Sequence, residues 1–317
     1  MLPQLSLDLE EFNISSRNGF LPDNLPLTIL SNPYYSPWET LASKLSTLIK
    51  HKTLRQEVNR ISILSTSHLI SEAEWQRAYM IMGFLTHAYI WCGPTASQTL
   101  PPQIAIPFLD LACHFDLPTT ASYAATNLWN FAPIDEDKDL CNPDNLRCLL
   151  TFTGTKDEEW FYLISVAMEA RGGSIVASLL SALEAASLDN AEIVTSSLLG
   201  MADTLLELGL LLDRMYEHCD PYVFYYDIRP MLAGSKNMAH AGLPKGVFYE
   251  EGEGKGQWRE YSGGSNAQSS LIQFFDVVLG IEHRATGETD KRKQQGFINV
   301  RCSFPFHISF GKVVLTW

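Results

Sequence analysis

The stretch DEEWFYLISVAMEARGGSIVASLLSALEAA, residues 157–186, decides the fold class. Its apolar residues recur at helical spacing along the whole run, and almost at once DNAEIVTSSLLGMADTLLELGLLLDRMYEHCD (189–220) repeats the character. Helices this long and this apolar must bury most of their surface against other helices. The Gly172–Gly173 pair is the expected break or kink in the first. Only a short piece at Gly246–Tyr249 looks like a strand, so the pattern predicts an all-α protein.

Upstream, SPWETLASKLSTLIK (36–50) predicts the first helix, with Ser36 as N-cap, Pro37 in the first turn and Glu39 closing a capping box. Trp38, Leu41, Leu45 and Leu48 form its apolar stripe. SEAEWQRAYMIMGFLTHAYIW (71–91) repeats the Ser-x-x-Glu box, and its second half is apolar nearly all round, which predicts burial. Residues 1–35 read as an extended arm or irregular cover. CGPTASQTLPPQIAIP (92–107) reads as a long proline-bearing connection into the short apolar element FLDLACHFDLP (108–118), after which Pro118 opens a helix over TTASYAATNLWNF (119–131). Residues 130–150 form an acidic, turn-rich excursion. A boundary near 115–120 gives a small N-terminal domain, 1–117, and a larger one, 118–288. No internal repeat is visible.

Composition narrows the function. The 317 residues are 46% hydrophobic and 19% charged, a globular balance, and the net charge of -13 lacks the basic clusters that nucleic acid demands. No basic leader precedes an apolar run and no uninterrupted stretch of eighteen apolar residues occurs, so the expectation is a soluble, cytoplasmic, monomeric protein without membrane or nucleic-acid partners. Six scattered cysteines with no CxxC pair read as free thiols.

The eight histidines include no pair at helical i, i+3 or i, i+4 spacing, so neither an HExxH zinc site nor a helical di-iron site is encoded. A haem needs only one axial side chain and remains open. REYSGGSNAQSS (259–270) lacks the G-x-S-x-G elbow of a serine hydrolase, and GEGKG (252–256) opens no helix and reads as a turn. What remains for Gly263–Asn266 is a pocket wall, where glycines admit close approach and short polar groups add hydrogen bonds, or else a plain surface loop. Phe161, Ser165 and Glu169 share one helix face; Ser165 is either a site group or tied back to the carbonyl four residues before it. Arg229 wants a carboxylate, from a ligand or from a structural partner such as Asp227.

At these residues the sequence resembles the indoleamine 2,3-dioxygenase family. RISILSTSHL (60–69), LTHAYIWCG (85–93), AIPFLDLACHFDLPTTASYAATNLWNF (105–131), WFYLISVAMEARGG (160–173), VFYYDIRPMLAGSKN (223–237), LPKGVFYEEG (243–252) and REYSGGSNAQSSLIQFFDVVLGIEHR (259–284) carry the resemblance, collinear over roughly residues 15–288. It implies a small helical domain packed on a larger haem-binding one. It also implies haem b as cofactor, and L-tryptophan or a related indole, O2 and an electron donor as partners. The implied product is N-formylkynurenine. By matching segment, Phe161 corresponds to the aromatic above the haem, Ser165 to the distal polar residue, Phe224 to the wall against the indole, and Arg229 to the group that holds the substrate carboxylate. Tyr123 and Thr126 would line the indole pocket, and Gly263, Gly264, Ser265 and Asn266 would form the loop over haem and substrate, with Asn266 where the family often has Ala.

The pattern departs at the end. The family continues with a Met-Pro-x-x-His-Arg-like motif whose histidine ligates iron, whereas residues 289–317 form a divergent tail, KRKQQGFINV onward, as expected from a faulty or alternatively spliced gene model. His307 is a poor match: its proline stands two residues before it, no Arg follows, and its distance from Ser265 is about half of what the pattern needs. No iron ligand is therefore assigned. The alternatives that follow are a family pseudoenzyme or binding protein without the proximal ligand, and a dioxygenase for a modified indole in secondary metabolism.

Overall fold

Helices dominate the described residues of the computed structural model, which are residue 9, residues 14–265 and residues 268–281. The described residues are 58% helical, as expected, but several elements begin for reasons other than those read from the sequence. Helix α1 (Ser36–Ser43) has Pro37 in its first turn, yet Tyr35 is its N-cap and makes no side-chain bond. Glu39 does not close a capping box. It accepts from the Leu30 amide at 2.8 Å and from Arg77 Nε and Nη2 at 3.0 and 2.7 Å, a buried pair that outcompetes the local bond. Short helices α2 (Leu45–Lys50) and α3 (Leu54–Arg60) follow. Helix α4 (Glu72–Trp91) starts as expected: Ser71 Oγ accepts from the Glu74 amide, and every residue from Ala78 to Ile90 is buried.

The proline-bearing segment is not a loop. A short strand β1 (Thr99–Leu100) leads into α5 (Pro102–Phe115), where Pro102 occupies the first turn at no cost and Pro107 forgoes a single backbone bond. Conversely, TTASYAATNLWNF forms only a π-helical turn, Ala124–Leu128. Side chains there take backbone partners that a helix would need: Thr126 Oγ1 donates to the Ser122 carbonyl at 3.1 Å, and Asn130 Nδ2 donates to the Thr126 and Leu150 carbonyls at 3.1 and 2.9 Å. The acidic excursion is closed at its base by antiparallel strands β2 (Phe131–Pro133) and β3 (Leu146–Cys148), which carry no alternation long enough to read.

Helix α6 (Lys156–Ser187) runs unbroken through Gly172 and Gly173, against the expected kink. The glycines serve close approach instead. A Cβ on Gly173 would lie 2.5 Å from Asn18 C and 2.6 Å from Gly19 N, and one on Gly172 would overlap the Leu271 side chain. Helix α7 (Ala191–Asp213) folds back along α6, and α8 (Met215–His218) and α9 (Pro221–Val223) lead to a second π-helical turn, Phe224–Ile228, and to α10 (Arg229–Leu232). Strands β4 (Val247–Gly252) and β5 (Lys255–Arg259) make a hairpin, with β1 parallel on the other side of β4. Its two loop residues, Glu253 and Gly254, have φ of 52° and 74°, the left-handed pair that a tight hairpin requires. Helix α11 (Ser270–Leu279) is capped by Ser269.

The largest apolar cluster wraps α4 and includes Trp38, Tyr79, Phe84, Phe108 and Phe152; a second joins α6, α7 and α11 through Leu179, Leu208 and Phe274. By length and composition alone, Lys156–Ser187 and Ala191–His218 are apolar enough to cross a membrane. Helix α6 is nevertheless the buried central helix, whereas α7 leaves Leu199, Leu206 and Leu210 exposed among the described residues.

Two glycines on these helices should respond with opposite signs. Gly173→Ala, forced against backbone, is expected to lower unfolding stability by roughly 1–3 kcal/mol. Gly209→Ala, on exposed α7 with nothing within 4 Å of the added carbon, should raise it by about 1 kcal/mol. Urea titrations of the two variants beside the parent check both.

Candidate functional site

Where α6, the Phe224–Leu232 segment and residues 262–265 meet, a cavity of about 930 Å³ opens. That volume suits a cofactor or a drug-sized ligand. Phe161 enters from α6 and Phe224 from the π-helical turn, with ring centroids 4.7 Å apart and planes inclined by 43°. The π turn has a local cause. Pro230 has no amide to donate and its ring crowds the carbonyl four residues earlier, so the helix widens just before it. That widening brings Tyr225, Tyr226 and Arg229 to the cavity mouth.

Arg229 is exposed there, its Cζ 5.2 Å from the Tyr225 ring centroid. Among the described residues it makes no ion pair, and the pairing with Asp227 does not form. Lys236 and His240 line the same cavity, and no described lining residue is acidic. In a protein of net charge -13 this is a local positive rim, suited to the carboxylates of a ligand.

The opposite wall is the glycine segment. Its upstream end is fastened by the Tyr261 carbonyl, which accepts from the Ser235 and Lys236 amides at 2.8 and 3.0 Å, and by the Tyr261 amide, which donates to Ser235 Oγ at 3.1 Å. A Cβ on Gly264 would lie 2.8 Å from the Ala121 carbonyl oxygen, and one on Gly263 would run into the Leu232 carbonyl and the Gly234 amide. Glycine is therefore required at both places, and the wall presents bare backbone to the cavity. Ser265 lines the cavity, while Asn266 lies outside the described residues, as do His307 and the 289–317 tail.

Ser165 and Tyr123 do not line this cavity. Both are buried behind it, beside Glu169. Tyr123 donates to Glu169 Oε1 at 2.9 Å and Ser269 Oγ donates to the same oxygen at 2.6 Å, while among the described residues the buried Glu169 Oε2 has no partner within hydrogen-bonding geometry, with the Leu271 amide nearby. No hydrogen bond ties Ser165 back to the Phe161 carbonyl among the described residues; its hydroxyl faces Tyr123. Burial pushes the Glu169 carboxyl up to about 7, against the lowering effect of the Ser269 and Tyr123 hydroxyls. Burial and the adjacent Glu169 push the Tyr123 phenol well above its ordinary range. Thr126 is also buried, bonded to Ser122 and Asn127.

The residues present suit the flat face of a haem. Aromatic and glycine walls accept an apolar macrocycle, and Lys236 offers a cation for its acidic side arms, with the His240 ring on the same lining. His87 offers nothing to a metal: its Nδ1 donates to the Met231 carbonyl at 2.8 Å, its Nε2 accepts from Thr120 Oγ1 at 2.7 Å, and burial pushes its pKa down to about 4. His240 is the described histidine that lines the cavity. Lys236, His240 and the Ser269 partnership of Glu169 were missed from sequence; Lys236 and His240 were findable as polar, nitrogen-bearing residues next to the Arg229 segment. Cys92, Cys113, Cys141, Cys148 and Cys219 are free thiols, and Cys302 lies outside the described residues.

A family model described as indoleamine 2,3-dioxygenase matches residues 8–305, so the likeness extends past residue 288. The relatives include indoleamine 2,3-dioxygenase nanC of Aspergillus nanangensis, 43% identical over 290 residues, which cover 89% of this chain and 70% of the relative. The 6-hydroxytryptophan 2,3-dioxygenase fscD of Fusarium equiseti is 40% identical over 282 residues, 89% of this chain and 69% of the relative. The indoleamine 2,3-dioxygenase of Saccharomyces cerevisiae is 41% identical over 287 residues, 87% of this chain and 62% of the relative. The chain thus spans about two thirds of the length of these relatives.

The buried carboxyl gives a pH prediction. Because Glu169 binds its proton more tightly in the folded protein, the stability it contributes is present at low pH and is lost as pH rises from its ordinary 4.5 to about 7. The loss is at most about 3 kcal/mol. Glu169→Gln cannot ionise, so its urea midpoint should fall less than the parent's between those two pH values. Parallel curves would show that Glu169 titrates normally.

Proposed function

The chain belongs to the indoleamine 2,3-dioxygenase family, and from that premise we propose that it is a haem-dependent dioxygenase that opens the indole ring of L-tryptophan with O2 to give N-formylkynurenine. The observation that carries the reading is Arg229, a guanidinium without a carboxylate partner among the described residues, at the mouth of a cavity walled by Phe161 and Phe224. An amino acid with a flat aromatic side chain matches both features at once.

Phe161, Gly263 and Gly264 would hold the haem face, with Lys236, His240 and Ser265 toward its carboxylates. Bound haem, kept reduced by an electron donor, supplies the activation of O2, which no side chain here can perform. The protein's own part is binding and orientation. Arg229 takes the substrate carboxylate in its planar fork, Phe224 sets the plane of the indole, and the glycine wall lets backbone close over it and exclude water. The balance closes without a leaving group, because every atom of substrate and O2 remains in the product.

A hydroxylated indole is the second reading. The relative named 6-hydroxytryptophan 2,3-dioxygenase favours it, together with the tyrosine hydroxyls of Tyr225 and Tyr226 on the cavity lining. The full chain supplied with haem and given L-tryptophan or 6-hydroxytryptophan in turn separates the two by which is consumed. Binding of haem and indole without turnover would point instead to a binding protein. Arg229→Ala should lower kcat/KM for tryptophan roughly 10- to 100-fold, the worth of a charged hydrogen-bonding pair, with haem content unchanged. Unaltered turnover at subsaturating tryptophan would sink the role given to Arg229.

A further inference from the structure

We infer that Glu169 is a positioning residue for the glycine wall: its buried carboxyl ties Ser269 and Tyr123 to α6 and thereby sets where Gly263, Gly264 and Ser265 stand against the ligand. The wall is a short span between two anchors. Upstream it is held by the exchange of bonds between Tyr261 and Ser235. Downstream the Gln268 amide donates to the Ser265 carbonyl at 2.9 Å, and next to it stands Ser269, whose Oγ both donates to Glu169 Oε1 at 2.6 Å and accepts from the Ile272 amide at 3.3 Å. The same hydroxyl thus caps α11 and hooks it to α6. Leu271 then fills the notch at Gly172 one turn along, so α11 is seated on α6 by a polar and an apolar contact together.

A second bond to the same oxygen reaches the back of the wall. Tyr123 donates to Glu169 Oε1 at 2.9 Å, and two residues before it stands Ala121, whose carbonyl oxygen Gly264 approaches so closely. One oxygen atom therefore fixes the segment behind the wall and the segment after it. Burying a carboxyl is costly, and among the described residues the second oxygen of this one has no well-formed hydrogen bond, a cost that an apolar core residue would avoid. The cost is intelligible if the task is to hold two hydroxyls in a set direction. A neutral acid suffices for that, since a carbonyl oxygen accepts both bonds.

This inference rests on the proposed function only for the ligand that reports it. Hydrogen exchange is measured on the full chain, haem supplied, for peptides spanning the wall and for α4 peptides as a control, in Ser269→Ala, Tyr123→Phe, Glu169→Ala and Glu169→Gln. Removing a donor or the acceptor should speed exchange in the wall roughly 3- to 10-fold, the worth of one hydrogen bond, and leave α4 unchanged. Glu169→Gln keeps the accepting oxygen and should stay within about 2-fold of the parent. In parallel, KM for L-tryptophan should rise in Ser269→Ala by a similar factor and be restored in no variant except the Gln one. Unchanged wall exchange in both Ser269→Ala and Glu169→Ala overturns the inference, as does a Gln variant as loose as the Ala one. If Glu169→Ala does not fold, the two single-hydroxyl variants decide. If no variant and not even the parent takes tryptophan, the function reading fails while the exchange result still stands for or against the latch.

Discussion

Polar groups carried on a helix buried along most of its length have to find their partners inside the protein, and α6 carries two carboxyls there, Glu158 and Glu169. Each becomes an anchor for a different neighbour. Glu158 accepts from the Phe152 amide at 2.8 Å, from the Thr153 amide and hydroxyl at 2.6 Å each, and from Tyr162 Oη at 3.1 Å, so it fastens the incoming chain to the helix start. Burial holds its carboxyl above the ordinary value. Glu169 does the corresponding work at mid-helix for α11 and the Ala121–Tyr123 segment. Between them stand Phe161 and Ser165, on the face that the cavity and its back wall share. The helix is thus a ruler on which the site is laid out, and Gly172 and Gly173 let the N-terminal turn and α11 press close enough to keep it buried.

Those features were unequally legible in the sequence. The two long helices, the Ser71 cap, the buried half of α4, the GEGKG turn and the shared face of residues 161, 165 and 169 are all local patterns, and local patterns survive folding. The failures are places where a distant partner outbid a near one. Glu39 abandons its own helix start for Arg77, and Gly172–Gly173 reads as a break only while Asn18, Gly19 and Leu271 are unknown. TTASYAATNLWNF has helical composition, yet Asn130 spends its amide on Leu150. Prolines misled in the other direction, since Pro102 at a helix start marks a beginning where a run of Pro and Gly suggested a loop.

The site shows the same division. Its aromatic walls and Arg229 follow from residues close in sequence around a π-helical turn that Pro230 imposes. The partnership of Glu169 with Ser269 spans one hundred positions and carries no local signal. Charge lies between these extremes. An overall acidic chain that concentrates Arg229 and Lys236 around one cavity creates a field that total composition hides, because two cations vanish in a net charge of -13.

Where the cavity can vary follows from which of its walls are constrained. Gly263 and Gly264 are fixed from behind by the carbonyls of Leu232 and Ala121, so no side chain can be added there without moving backbone. Phe161 and Phe224 are half-buried against each other, and a change in one alters the packing of the other. Tyr225, Tyr226 and His240, by contrast, are exposed and can change at little cost to the fold. On the proposed function, discrimination between one indole and a substituted one would fall on these exposed residues, where a substituent would meet hydroxyls and cations, while the glycine and phenylalanine walls would keep the shape that orients the ring.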